Sequence, residues 1–253
     1  MLEHMFKQWR LGSMFGFPIE INLSFLMLLG LVFVAFGGVA GVVIVCLAFA
    51  SVLLHELGHA LVARQLGVRV SGIELGFFGG AAKMVELPRT ANHELAIAAA
   101  GPAVSLVLAG LGLGLGAVTH VPLIAWLGWT NLILALFNLI PALPMDGGRI
   151  LRAALTRKMD FVRATDVSVK IARVAAVAFV VFGLAYGWYM LAFLAPFLWI
   201  MSTREQMLAR VMANQYAYNA GGYKQRYYHD AAPANRRFTI TQRNGRFVVE
   251  EVI

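Results

Sequence analysis

Apolar residues run along this chain in long blocks separated by short polar breaks. Residues 11–63 contain no Lys or Arg, and neither do residues 94–148. Blocks of that length can cross a hydrocarbon layer of about 30 Å repeatedly, because one helical crossing takes about 20 apolar residues. The pattern predicts six spans, at 22–36, 39–63, 94–117, 122–140, 167–186 and 188–201. Several are short and require anchoring or local thinning of the bilayer. The expected fold class is an all-α polytopic membrane protein with about six transmembrane helices.

Two segments depart from this helical pattern. Residues 66–88 are glycine-rich and alternate, with Val68, Val70 and Ile73 before Gly76-Phe77-Phe78-Gly79-Gly80 and Met84, Val85 and Leu87 after it. Alternation around glycine predicts a membrane-associated β-hairpin between helices 2 and 3. Near the C-terminus, residues 237–243 and 246–252 flank Asn244-Gly245, a dipeptide suited to a two-residue hairpin turn. The chain therefore divides into an N-terminal segment 1–21, a transmembrane domain 22–201 and a cytosolic tail 202–253 whose hairpin is 237–252. Leu2 to Met5 reads as a cloning scar, which puts the natural start at Met5. The first apolar block has no small-residue cleavage site, so it reads as a retained helix and not as a signal peptide. The halves do not mirror each other as the inverted repeats of transporters do.

Composition strengthens the membrane reading: 60% of residues are hydrophobic, 13% are charged, and the mean hydropathy is +0.73. A soluble domain cannot hide that much apolar surface. The net charge of +8 does not indicate nucleic acid. Lys7, Arg10, Arg64, Arg69, Lys83, Arg89, Arg149, Arg152, Arg157, Lys158, Arg163 and the tail from Arg204 all fall in the breaks on one side of the predicted spans. By the positive-inside rule that side is cytoplasmic and holds both termini. The lone Cys46 excludes an internal disulfide and a cysteine-rich zinc site.

The second span carries His55-Glu56-Leu57-Gly58-His59. Histidines at i and i+4 share a helix face and can hold one Zn²⁺, while the glutamate between them can reach a water at the ion. Ionisable groups inside a membrane are costly and mark function by default. A catalytic zinc needs three protein ligands and an open position. The fourth span ends in Phe137-Asn138-Leu139-Ile140-Pro141-Ala142-Leu143-Pro144-Met145-Asp146-Gly147-Gly148, where prolines and glycines break the helix. Asp146 has the form of an ordinary Asp-Gly turn, yet Glu74, Glu86 and Glu94 sit in or beside the second loop, so it is the best candidate for the third ligand.

Together these motifs resemble the site-2 protease family, a group of intramembrane zinc metalloproteases. The likeness extends to Gly12 through Pro18, Gly79-Gly80 and Ala98-Ala99-Ala100-Gly101-Pro102, covering a catalytic core of about 12–152. It implies His55, His59 and Asp146 as zinc ligands, Glu56 as general base, and Asn138 as a group that steadies the substrate backbone or the oxyanion. Asn131, two turns before Asn138, is at least as well explained by an interhelical hydrogen bond. Met145 departs from the Leu or Pro common in the family, without loss of apolar character. A PDZ insertion and a CBS pair, found in some members, have no counterpart here. The implied partners are the lipid bilayer and single-span membrane protein substrates, such as a membrane-tethered regulator or anti-sigma factor, in a prokaryotic inner membrane. The second loop, along residues 73–77, is the expected place for an unwound substrate to add as a strand, and residues 167–201 the expected gate. A metal-binding pseudoprotease and a transporter are the rival classes, and Glu56 beside the ligands favours the enzyme.

Overall fold

The computed structural model describes residues 8–35, 38–77, 79–85, 88, 90–219, 237–243 and 246–252. The proposed start at Met5 and the Asn244-Gly245 turn lie outside the described residues. In chain order the elements are β1 (Gln8–Met14), β2 (Phe17–Asn22), α1 (Leu23–Ala35), α2 (Val39–Gln65), β3 (Val70–Gly76) and β4 (Gly79–Met84). They continue as α3 (Ala91–Thr119), α4 (Pro122–Asn138), α5 (Asp146–Thr156), α6 (Phe161–Ala185), α7 (Tyr189–Asn219), β5 (Arg237–Arg243) and β6 (Arg246–Val252).

The molecule is mostly helical, but it is not all-α. The second loop does not stand as an isolated hairpin: β3 and β4 are two strands of a four-stranded sheet ordered β1-β2-β3-β4. The first two strands come from the segment before the first helix, where Phe17, Ile19 and Ile21 alternate inward and Pro18, Glu20 and Asn22 remain partly exposed. β2 pairs with β3 in parallel, Ile19 opposite Ile73, and β3 pairs with β4 antiparallel. The inward residues pack with Leu57 and Ala60, so the sheet lies against the same helix that carries the two histidines.

Helices α2, α3 and α6 are long and apolar enough to cross a membrane. The apolar helices α1 and α4 are shorter, at 13 and 17 residues. At 1.5 Å per residue α1 is about 20 Å long, less than a bilayer core of about 30 Å. The helix α5 follows the Pro-Gly break and was not expected. Its two glycines explain the sharp turn into it: a Cβ at Gly147 would strike the carbonyls of Leu139 and Ile140, and one at Gly148 the backbone of Ala142 and Leu143.

An ion-pair network fastens α5 to its neighbours. Arg152, 4% exposed, donates to Glu94 of α3 and, at 3.0 Å, to Glu205 of α7, with Phe161 under its guanidinium. Burial works against the charged guanidinium, but the two carboxylates outweigh it and raise its pKa above the ordinary arginine value. On the sheet, Lys83 bridges Glu20 at 3.1 Å and Glu74 at 2.8 Å.

Candidate metal centre

His55 and His59 stand on successive turns of α2, and Asp146 is the first residue of α5; all three are buried. His55 Nε2 and His59 Nε2 lie 3.2 Å apart, and Asp146 Oδ2 is 3.1 Å from the first and 3.2 Å from the second. A tetrahedral ion with bonds of about 2.0–2.1 Å separates its ligands by about 3.3 Å, close to each side of this triangle. The hydrogen bonds on the far side of each ring agree. His59 Nδ1 faces the Ile97 carbonyl at 2.7 Å, and because a carbonyl only accepts, Nδ1 carries the proton and leaves the Nε2 lone pair for a metal. His55 Nδ1 lies 2.9 Å from Ser105 Oγ. The donor set fits zinc, and among the described residues it is the cluster able to hold a metal.

Helix α3 leaves space for this triangle through Gly101. A Cβ there would meet His55 Nε2 at 2.6 Å and come still closer to His59 Nε2. Helices α2 and α3 pack tightly just beside it, where a Cβ on Gly58 would lie 2.9 Å from the Ala100 carbonyl.

Glu56, between the two histidines in sequence, reaches the sheet, where its Oε2 accepts the Ala82 N–H at 2.9 Å. Gly80 is needed here too, since a Cβ would sit 2.8 Å from Glu56 Cγ. A cavity of about 320 Å³ opens along this face, lined by Glu56, His59, Asp146, Asn138, Arg149 and the edge strand β4, and also by Leu194, Phe197 and Leu198 of α7. Asn138, which also lines the cavity, donates one N–H to the Leu134 carbonyl at 2.9 Å. Asn131 is placed elsewhere, donating at 2.9 Å to Ser51 of α2. The sheet order moves the expected edge within the second loop: residues 73–75 of β3 are paired on both sides, and β4 is the edge strand beside Glu56.

Against this geometry the comparisons with known proteins are specific. The model of Peptidase family M50 matches residues 42–121 and 115–181, more than half of the chain. The chain belongs to this family, that of the site-2 proteases. A zinc metalloprotease of Methanocaldococcus jannaschii is 35% identical over 210 residues, covering 80% of this chain and 61% of that protein. Stage IV sporulation protein FB of Bacillus subtilis is 32% identical over 122 residues, covering 47% and 42%. Among solved structures, the site-2 protease from Methanocaldococcus jannaschii superposes with a TM-score of 0.63 at 35% identity, covering 79% of this chain and 95% of that one. The chain spans about half the length of the curated relatives it matches.

Several members of the site lie beyond what residue type alone announces. The Ile97 carbonyl and the Ala82 N–H are backbone groups. Ser105 carried a weak signal, one helical turn after Gly101 in an apolar block. Arg149 was counted only among the charges that orient the chain.

Proposed function

We propose that the chain is an intramembrane zinc metalloprotease that hydrolyses a peptide bond in or near the membrane segment of a protein substrate. The observation that carries this reading is the buried triangle of His55, His59 and Asp146 opening onto a cavity that also holds Glu56. His55, His59 and Asp146 are the proposed ligands. A zinc ion held there supplies positive charge that acidifies water and polarises a carbonyl group. Glu56 is the general base: it takes the proton of the attacking water and delivers it to the leaving amine. The Ala82 N–H holds this carboxylate on the cavity side of α2. Asn138 offers its second N–H to the carbonyl oxygen as negative charge develops there. No covalent intermediate is needed.

A helical substrate keeps its carbonyls in its own hydrogen bonds, so a stretch must unwind before it can be attacked. The open edge of β4 supplies backbone groups that an unwound stretch can pair with. The wall formed by α7 has to yield for a helix to enter, and this makes the α6–α7 pair the proposed gate. Six crossings, made by α1, α2, α3, α4, α6 and α7, put both termini on the basic, cytoplasmic side of a prokaryotic inner membrane. Local thinning accommodates the short α1. The proposed substrates are single-span proteins such as membrane-tethered regulators or anti-sigma factors, cut by the core at 12–152 within the domain 22–201. The tail 202–253 is a cytosolic accessory.

The test compares wild type and Glu56→Gln for zinc content and for cleavage of a reconstituted single-span substrate. Both proteins should bind one zinc, and the variant should lose at least about a hundredfold in cleavage rate, since a positioned base contributes about 10²–10⁴. Undiminished cleavage by the variant refutes the role of Glu56, and zinc binding without cleavage by the wild type refutes the protease.

A further inference from the structure

The cavity holds one charged side chain that this chemistry does not use. Arg149 follows Asp146 by three residues on α5, one turn along the same face, and lines the cavity with Glu56 and Asp146. Among the described residues it has no carboxylate partner; its Nη2 reaches only the sulfur of Met84, at 3.9 Å. Its neighbours are differently placed. Arg152 is bonded to two glutamates, and Arg64 donates to the Phe15 carbonyl and covers the Phe17 ring. A thioether is a weak acceptor, so the guanidinium fork of Arg149, which matches a carboxylate in shape, is left with donors to spare. With a divalent ion balanced by Glu56 and Asp146, Arg149 gives the cavity one positive charge in excess.

Its place along the strand says which part of a substrate it meets. β4 touches Glu56 through Gly80 and Ala82, whereas Met84, beside Arg149, ends the strand. From Gly80 to Met84 an added strand advances about 13 Å at about 3.3 Å per residue, so Arg149 faces the flank of the scissile bond and not the bond itself.

We propose that Arg149 is a specificity-determining residue that receives an acidic side chain of the substrate about two to four residues from the scissile bond, on the flank toward Met84. This rests on the protease reading and deepens it. Arg149 stands on α5 among the basic breaks, the side where membrane segments ordinarily carry Lys and Arg. Ordinary segments therefore present like charge to Arg149 and are rejected, while those with an acidic flank are drawn in. Selection of this kind works by repulsion as much as by attraction.

The experiment uses the zinc-loaded full chain in liposomes and single-span peptides that differ only in Glu, Gln or Lys at the third residue of that flank, the cut being mapped by mass spectrometry. Binding of the same peptides to Glu56→Gln reads recognition without turnover. For the wild type, kcat/KM should fall in the order Glu, Gln, Lys, by at least about tenfold overall, equivalent to about 1.4 kcal/mol, mainly through KM. Arg149→Lys should keep the order, Arg149→Gln should flatten it, and Arg149→Glu should invert it, each variant being checked for zinc content. Equal cleavage of the three peptides by the wild type, or a preference for Glu surviving in Arg149→Glu, overturns the proposal. Charge-ordered binding with no cleavage of any peptide supports the recognition by Arg149 and refutes the protease instead.

Discussion

Replacing Gly101 by alanine should weaken zinc binding while leaving the fold in place. The new Cβ would lie 2.6 Å from His55 Nε2 and from His59 Cε1, and closer still to His59 Nε2, where ordinary contacts begin at 3.4 Å. The imidazoles must retreat by about 0.8 Å or more, against a ligand triangle whose sides are only 3.1–3.2 Å. Overpacking by one carbon in a tight interior costs about 1–3 kcal/mol. Without the ion the rings can swing aside and shed much of that cost, but a bound ion holds them in place, so the penalty falls on metal affinity. At about 1.4 kcal/mol per decade, zinc should bind about 5- to about 150-fold more weakly. Competition with a chromophoric chelator measures this, with Gly110→Ala as control, because a Cβ at Gly110 meets nothing within 4 Å on the same helix. Zinc affinity in Gly101→Ala within twofold of the wild type would refute the arrangement of α3 against the ligands.

Four further outcomes are expected. Ser105→Ala strands the buried Nδ1 of His55 and should weaken zinc binding by about 10–100-fold, with Ser105→Thr restoring most of it in the same chelator titration. Ala82→Pro removes the N–H that holds Glu56 and obstructs the edge of β4, so the cleavage rate should fall by about tenfold or more at unchanged zinc content. Arg152→Met leaves Glu94 buried without its cation and should cost about 3–5 kcal/mol in denaturant unfolding, part of it regained in the double variant with Glu94→Gln. For Glu20, the bond from Lys83 lowers the carboxyl pKa below its ordinary 4.5; for Glu74, burial opposes the lowering, but Lys83 and Asn22 outweigh it. Carboxyls depressed on folding add stability that is complete above pH 4.5 and lost as the pH falls through their folded values, so protection of β2 and β3 in hydrogen exchange should drop below that point, and less steeply in Lys83→Met.

The candidate metal ligands were legible because they are local or conspicuous. A spacing of i and i+4 settles the face of a helix without knowledge of the fold, and His, Glu and Asp stand out in blocks that otherwise lack charge. The meeting of Asp146 with the histidines was only a candidacy in the sequence, since it depends on how the chain turns between α4 and α5. The strands β1 and β2 were overlooked although Phe17, Ile19 and Ile21 alternate: six residues of period two are drowned by the apolar block that follows them. Helix α5 was hidden by its arginines, which read as topology. Arg149 and Arg152 do lie among the basic breaks, but one also lines the cavity and the other is buried between glutamates. The choice of residues 73–77 within the second loop missed the open edge for a topological reason, because it took no account of a partner strand from before α1, which leaves β4 of the same loop as the edge.

The parallel pairing of β2 with β3 also dictates when the molecule can come to life. The N-terminal hairpin is synthesised first, yet its partner strand emerges only after α1 and α2 have been made, a wait of several seconds at about 5–20 residues per second. Until then the seat of Glu56 against β4 does not exist, and Asp146 is later still. A growing chain therefore carries an incomplete candidate site until the last of these residues has been made.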